Sequence, residues 1–569
     1  MLVNNNSNIN PKRMWLVVSG LLLATFIIII RLVDFQIIQG PDWRERTADE
    51  YTIVAQPERG TIFDRNGAVL AANGVDYQIG ASPNLITYPE ELASQLAPVL
   101  EMNRRDLVRR LTSDNPYEML KNRVSSEVGE SVRELSEEYG GIQVDPLPRR
   151  FYPQGELMCH VLGYVDFDGN GGSGVEGYYQ TELAGEAARK ASNISPFHVQ
   201  QSVIARKGAD LVLTIDRSLQ YLVEQHLQEA LVEYAAPSGT IIVMEPDTGA
   251  ILAMASAPCF DPYEFYDMPK DQLRNPIAGE QYEPGSVMKL ITMASALDSG
   301  TVTPETTYYD SGELWMGGHR TVNWDRGAHG TVDMTTLLAR SLNVGAATLA
   351  TWMGPDMYYD YMRRFGFGSP MGIDLMSEAS GQMPLPGDEN WAESFLATNA
   401  YGQSLASTPL QMIAATAALA NEGELMQPYL VQEIRTSNGT MVHEPSVLSR
   451  PISKQAAQQV TQMAITAVIR EVPEAQVPGY TIAGKTGTAE IAENGIYLDD
   501  VTIASFIGWL PADDPDIIVL VKLDRPQVSP WGSQTAAPTF SKLAKEMVVL
   551  LGIPPDDVRF REDIMALNN

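Results

Sequence analysis

Close to the start of this 569-residue chain, every residue from Met14 to Ile30 is apolar or small, and no other feature restricts the fold as much. A helix needs about 20 apolar residues to span a bilayer core. The run supplies 17, and apolar character resumes past Arg31 through Leu32, Val33, Phe35, Ile37 and Ile38, with the arginine free to snorkel. Lys12 and Arg13 precede the run, and Asp42, Glu45, Asp49 and Glu50 follow it, a bias that holds the N-terminus in the cytoplasm. A cleaved signal peptide is the alternative, but the apolar stretch is long for one and no small-x-small cleavage site follows. The expectation is a cytoplasmic tail over 1–13, a transmembrane helix over 14–38 and, with no second such run, an extracytoplasmic remainder on a single-pass membrane protein.

That remainder is long enough for two or three domains. The formal net charge of −31 excludes nucleic acid as a partner, because a phosphate backbone needs a basic surface. Two cysteines, Cys159 and Cys259, are too few for a disulfide framework. They could form one bridge, but two buried free thiols is the favoured reading. The histidines are His160, His198, His226, His319, His329 and His443. None has metal-ligand spacing, so each reads as structural or exposed, and no metal or other cofactor is expected. No phosphate-binding loop and no Gly-x-Ser-x-Gly elbow occurs.

Residues 40–210 form a mixed α/β region. Asp76–Ala81 is strand-like, Asn103–Thr112 and Ser125–Tyr139 are helical, and Asp166–Gly174 is a loop. A different texture begins near Gly208. Asp210–Ile215 alternates as a strand and Leu219–Tyr234 repeats as a helix. Thr240–Glu245 and Ala250–Ser256 form a hairpin around Pro246-Asp247-Thr248-Gly249. Amphipathic helices are expected over Leu290–Asp298, Thr335–Met353 and Leu410–Asn421. Strands then follow at Thr481–Glu490, Val501–Leu510 and Asp516–Asp524, with a last helix at Ser541–Leu551. An antiparallel sheet built from both ends of residues 211–552, with a helical block between, is an α+β domain. The polar residues 553–569 read as a loose tail.

Three short patterns in this second domain carry the chemistry: Ser286-Val287-Met288-Lys289, Ser341-Leu342-Asn343 and Lys485-Thr486-Gly487-Thr488. Singly, each reads more simply as a helix cap, a helix end or a turn. Together and in this order they suggest a site. Ser286 opens a helix after the turn Tyr282-Glu283-Pro284-Gly285. Residues i and i+3 share a helix face, so Lys289 can reach the serine hydroxyl. A serine is a poor nucleophile until a base takes its proton. A lysine is that base once burial and a neighbouring cation lower its pKa, and Lys485 is the candidate cation. The helix N-terminus adds positive potential where an oxyanion would form. Ser341 could relay a proton to a leaving amine, and Asn343 could hold either a substrate carbonyl or the lysine. The strand carrying Lys485 is expected at a sheet edge, where an extended peptide can join it.

With these motifs the chain resembles the penicillin-binding proteins and, more distantly, the β-lactamases. Arg59-Gly60-Thr61-Ile62-Phe63-Asp64-Arg65-Asn66-Gly67 is similar to the opening signature of the class B pedestal, a dimerisation-like domain. So, for the signatures after it, are Arg150-Phe151-Tyr152-Pro153, His160-Val161-Leu162-Gly163-Tyr164, Gly174-Val175-Glu176 and Leu183-Ala184-Gly185. Tyr401-Gly402-Gln403 and Thr408-Pro409-Leu410-Gln411 are similar to the segment between the second and third transpeptidase motifs.

The resemblance implies a peptidoglycan D,D-transpeptidase. Ser286 would attack a D-alanyl-D-alanine stem peptide, with Lys289 as base, Ser341 passing a proton to the leaving group and Asn343 positioning. Lys485, Thr486, Gly487 and Thr488 would bind the terminal carboxylate, and the amides of Ser286 and Thr488 would form an oxyanion hole. An amine of a second stem peptide would take the acyl group, and β-lactams would trap the serine. The class B pedestal further implies a separate glycosyltransferase partner of the shape, elongation, division and sporulation family. Asn343 followed by Val344-Gly345 leans towards a division-type member over an elongation-type one. A D,D-carboxypeptidase is the closest rival. A β-lactamase fits less well because no Glu-x-x-Leu-Asn segment lies between Ser341 and Lys485, and a non-enzymatic sensor or scaffold fits less well because all three motifs are intact.

Overall fold

The computed structural model describes residues 11–34, 51–55, 57–191, 205–493 and 496–560. Contacts divide the chain into two units, residues 1–58 with 185–208, and residues 59–184 with 209–569. In the first, Pro11–Val33 is one helix, and Tyr51–Ala55 pairs antiparallel with Ala188–Ala191. Trp15–Val33 is long and apolar enough to cross a membrane. Its 19 residues rise about 28 Å at 1.5 Å each, close to a hydrocarbon core of about 30 Å. The expected continuation through Phe35, Ile37 and Ile38 lies outside the described residues.

In the second unit, the pedestal is built on a sheet running in the order Gly439–Val442, Val431–Thr436, Asp210–Leu213, Ile62–Phe63, Val69–Ala81, Glu118–Val124, with Ile142–Phe151 also paired to Val69–Ala81. Its first two strands come from far along the chain. The position 210/211, where the texture of the sequence changes, therefore falls inside a strand that knits the two regions together. Beside this sheet lies a buried ionic knot. Glu176, fully buried, accepts from Arg59 Nε at 2.7 Å and from Arg150 Nε at 2.5 Å. These residues belong to three of the pedestal signatures, which burial has brought to one point.

The other region is a three-layer sandwich. Its five-stranded antiparallel sheet runs Ala483–Glu493, Ile496–Leu510, Ile517–Asp524, Ser238–Met244, Ile251–Ala257. Strands from both ends of the domain meet here, as the α+β reading requires. Ile241, Val243, Phe506, Val519 and Val521 face the helices Arg217–Glu233 and Ala536–Leu550. Ile242, Met244, Ile507, Trp509 and Leu520 face the helical block. With both faces covered, Ile251–Ala257 is buried along its whole length.

Four expectations are corrected. The helices Met288–Asp298 and Pro409–Ala420 are not amphipathic but buried almost all round, because they form the centre of the block. Thr335–Met353 is not one helix but two, Met334–Ala339 and Asn343–Met353, broken at Arg340–Leu342. The residues after Gly552 are not loose as far as Phe560. Ile553 O accepts from Tyr480 Oη at 2.6 Å, Asp556 Oδ2 accepts from the Thr481 amide at 2.7 Å, and Arg559 pairs with Asp513. The polar side chains that suggested a tail are these docking contacts. Finally, Cys159 and Cys259 are a disulfide, not free thiols. The pedestal helix Cys159–Leu162 packs beside the end of strand Ile251–Ala257, which brings Cα atoms 100 residues apart in sequence to 6.0 Å, within disulfide range.

Candidate active site

The turn Tyr282-Glu283-Pro284-Gly285 delivers Ser286 to the head of the central helix. Gly285 has φ +61°, a conformation in which a side chain would be strained. Its amide donates to Gly402 O at 3.0 Å. A Cβ on Gly402 would stand 2.1 Å from Gly285 O. This close approach explains the Tyr401-Gly402-Gln403 segment, which backs the nucleophile turn. Glu283, inside the turn, accepts from the Ser404 amide at 2.9 Å and from Tyr497 Oη at 3.1 Å. Sequence reasoning passed over Glu283 because its partners lie more than 100 residues away.

Ser286 sits in a single 3-10 turn, Gly285–Val287, that runs into helix Met288–Asp298. One turn on, Lys289 points its ammonium nitrogen back at the serine. Lys289 Nζ lies 3.0 Å from Ser286 Oγ, 2.7 Å from Ser341 O, 3.1 Å from Ser341 Oγ and 2.7 Å from Asn343 Oδ1. All four acceptors are neutral oxygens.

The helix break sets this geometry. Ser341 has φ +58°. Leu342 N donates to Leu337 O, and Ser341 N to Leu338 O, which is the Schellman closure of a helix. Ser341 thus stands where glycine is usual, at a cost of about 1–3 kcal/mol. The left-handed turn aims both its carbonyl and its hydroxyl at Lys289. Asn343, at the start of the next helix, donates Nδ2 to Val322 O at 3.0 Å. Its Oδ1 meets the lysine, one of the two partners the sequence left open. Asn323 supports the segment from below, accepting from the Val344 amide at 3.1 Å and donating to Asp310 at 2.8 Å.

The strand Ala483–Glu493 is an edge of the five-stranded sheet, as expected. Lys485, Gly487 and Ala489 are buried, while Thr486 and Thr488 are half-exposed on the cleft side. A Cβ on Gly285 would stand 3.0 Å from Thr488 O, so the strand and the nucleophile turn touch. The Gly532 amide donates to Thr488 Oγ1 at 3.2 Å. The Trp531 ring beside it meets Trp324 edge-on at 5.8 Å, and Trp324 Nε1 donates to Arg340 O. These two tryptophans join the second and third motifs, and no local pattern in the sequence marks them.

Electrostatics separate the two lysines. Lys289 is 1% exposed and Lys485 2%. Burial, with the charge of Lys485 added, holds the Lys289 amine well below the usual lysine range. Burial pushes Lys485 down to about 8, with the Glu471 carboxylate opposing. The neutral form is thus favoured at Lys289, while Lys485 keeps most of its charge near neutrality. This arrangement suits base-assisted attack by a hydroxyl on a substrate that carries a carboxylate.

Known proteins share this organisation. The family model described as "Penicillin binding protein transpeptidase domain" matches residues 239–545, and "Penicillin-binding Protein dimerisation domain" matches residues 54–213. The chain is 32% identical to Stage V sporulation protein D of Bacillus subtilis, over 96% of this chain and 87% of that one. It is 31% identical to penicillin-binding protein PbpB of Mycobacterium tuberculosis, over 94% and 84%. The crystal structure of penicillin-binding protein 3 of M. tuberculosis, complexed with aztreonam, superposes with a TM-score of 0.69 at 28% identity, covering 88% of this chain and 97% of that one. A pedestal of the dimerisation type, continuous with a transpeptidase domain, places the chain among the class B penicillin-binding proteins, the family to which it belongs.

Proposed function

We propose that Ser286 is the acyl-accepting nucleophile of this peptidoglycan D,D-transpeptidase and that neutral Lys289 is its base. The observation that carries this reading is the 3.0 Å contact between Lys289 Nζ and Ser286 Oγ, made by an amine that burial and Lys485 drive towards its neutral form. Lys289 takes the hydroxyl proton as Ser286 Oγ attacks the carbonyl of the penultimate D-alanine. The peptide C–N bond breaks, and the leaving amine receives a proton through Ser341 Oγ, 3.1 Å from the lysine. Asn343 holds Lys289 in place. Lys485, through its charge, and Thr486, Gly487 and Thr488, along the edge strand, bind the donor's terminal carboxylate, and the amides of Ser286 and Thr488 receive the oxyanion. The amine of a second stem peptide then attacks the ester and regenerates Ser286. A β-lactam offers the same carbonyl but keeps its leaving group tethered, so the acyl-enzyme persists.

The same reading divides the chain into a cytoplasmic tail (1–13), a membrane helix (14–38), an extracytoplasmic pedestal (40–210), a transpeptidase domain (211–552) and a terminal segment (553–569). Lys12 and Arg13 before the apolar helix support that orientation. With no second catalytic constellation among the pedestal's described residues, glycan polymerisation falls to a separate membrane glycosyltransferase of the shape, elongation, division and sporulation family, contacted through the helix and pedestal. Asn343 at the second motif favours the division-type role.

Labelling of the purified chain with a fluorescent penicillin tests the nucleophile. Persistent covalent label on the wild type and none on a folded Ser286→Ala variant is expected. Rapid turnover of the label would replace a transferase with a hydrolase. Unchanged labelling of the variant would remove Ser286 from the mechanism.

A further inference from the structure

We propose that Cys159, Cys259 and His160, once the disulfide is reduced, form a site for a thiophilic divalent cation, zinc being the best fit, that staples the pedestal to the transpeptidase domain. The two sulfurs and a ring nitrogen of His160 lie within 4.8 Å of one another. His160 Nε2 is 3.1 Å from Gln272 O. A carbonyl only accepts, so Nε2 carries the proton and donates. In the neutral ring Nδ1 is then the acceptor, and it faces Cys159 Sγ at 3.1 Å. A disulfide sulfur has no proton to give it. Only the Ser256 hydroxyl, at 2.9 Å, can donate to that nitrogen. A histidine whose Nε2–H is oriented by a backbone carbonyl and whose second nitrogen carries a lone pair is the usual form of a zinc ligand, and here the Ser256 hydroxyl that occupies that lone pair must turn aside or become a ligand itself.

The spacing fits as well. Zinc bonds sulfur at about 2.3 Å and nitrogen at about 2.0–2.1 Å in a tetrahedron, which puts the two sulfurs about 3.7 Å apart and sulfur and nitrogen about 3.5 Å apart. Breaking the S–S bond drives the sulfurs apart to a similar separation. The Cα atoms, at 6.0 Å, need little movement. Phe260 and Leu273 form an apolar wall beside Cys159, and the Phe260 ring stands edge-on to His160 at 5.3 Å. Such a wall keeps water from competing on that side. Cys259 is partly exposed, which leaves an entry path and room for a water or the Ser256 hydroxyl as fourth ligand.

The chemistry balances. A dithiol reductant gives two electrons and two protons to the Cys159–Cys259 bond and becomes a disulfide itself. The cation then displaces one proton from each new thiol. The two domains are joined by S–S in the oxidised protein and by S–metal–S in the reduced one.

The test uses the full chain in detergent, reduced with dithiothreitol, freed of reductant and metal, and titrated with Co²⁺ as a spectroscopic probe. The expected result is one equivalent bound, with thiolate-to-metal charge-transfer absorption and tetrahedral d–d bands, displaced by Zn²⁺ and absent from the oxidised chain. His160→Ala should weaken binding at least about tenfold, and Cys259→Ser should abolish the charge-transfer band. Penicillin labelling reports that each sample is folded. If His160→Ala does not fold, Cys259→Ser and zinc protection of the wild-type thiols from alkylation carry the test alone. No charge-transfer band in the folded reduced chain, equal binding by the oxidised chain, or unchanged affinity without His160 would overturn the site.

Discussion

The pedestal and the catalytic domain each bury charge, and they do so to opposite ends. In the pedestal, Glu176 lies between Arg59 and Arg150, and its carboxylate pairs with both guanidinium groups. In the catalytic domain, Lys289 and Lys485 are buried as deeply, and they donate to neutral hydroxyl, amide and carbonyl oxygens. A compensated buried charge holds a geometry. An uncompensated one gives up its proton. Three pedestal signatures converge on the first kind of cluster and the transpeptidase motifs converge on the second, so one region is built for cohesion and the other for proton transfer.

Exchanging the properties of the two clusters tests this contrast. The largest effect is expected from Lys289→Arg, which keeps the positive charge but cannot release a proton near neutral pH. The second-order rate of penicillin acylation should fall by about 10²–10⁴ in the fraction that stays folded. Glu176→Gln does the reverse. It leaves two buried arginines without their carboxylate and should cost about 3–5 kcal/mol by denaturant unfolding, while acylation by the molecules that remain folded keeps its rate. Equal damage to both readouts in both variants would erase the distinction.

A smaller change carries the logic of the pedestal into the active site. Asn343→Asp puts a carboxylate where Lys289 now meets an amide oxygen at 2.7 Å. The lysine pKa should rise, and the acid limb of the acylation pH profile should move up with it. In the wild type the alkaline limb should fall near pH 8, where Lys485 loses its charge. The sign for stability follows from the same shifts. Both lysines have folded values below about 10.4, so the unfolded chain binds more protons and stability rises with pH across each window. For Lys485 that window runs from about 8 upwards, and Lys485→Met should flatten the slope of melting temperature against pH there. The smallest effect is expected from Ser341→Gly, which relieves a left-handed serine and should add about 1 kcal/mol of stability. It also removes the hydroxyl 3.1 Å from Lys289, so acylation should slow as the protein becomes more stable.

Much of the site was legible because its parts are local. Ser286 and Lys289 are one helical turn apart, and helix geometry alone aligns them. Lys485, Thr486, Gly487 and Thr488 alternate as any strand must. The helix break at Ser341 was not legible. Serine carries no signal for a left-handed residue, and the apolar spacing runs on through Leu337, Leu342 and Val344 as if one helix continued. The disulfide and the docked segment after Gly552 were missed for a related reason, since each depends on partners distant in sequence.

The amino-acid sequence by itself determined the apolar run long enough to span a membrane, the order of the three motifs and the strand that carries Lys485, because these follow from covalent spacing and backbone period. Only the tertiary structure decided that Lys289 is buried beside Ser286, that Asn343 Oδ1 meets the lysine, and that Cys159 meets Cys259 beside His160. A pKa is set by lost solvent and by charges across space, and a bond between distant residues by the packing of the elements that carry them. Neither quantity exists until the chain has folded.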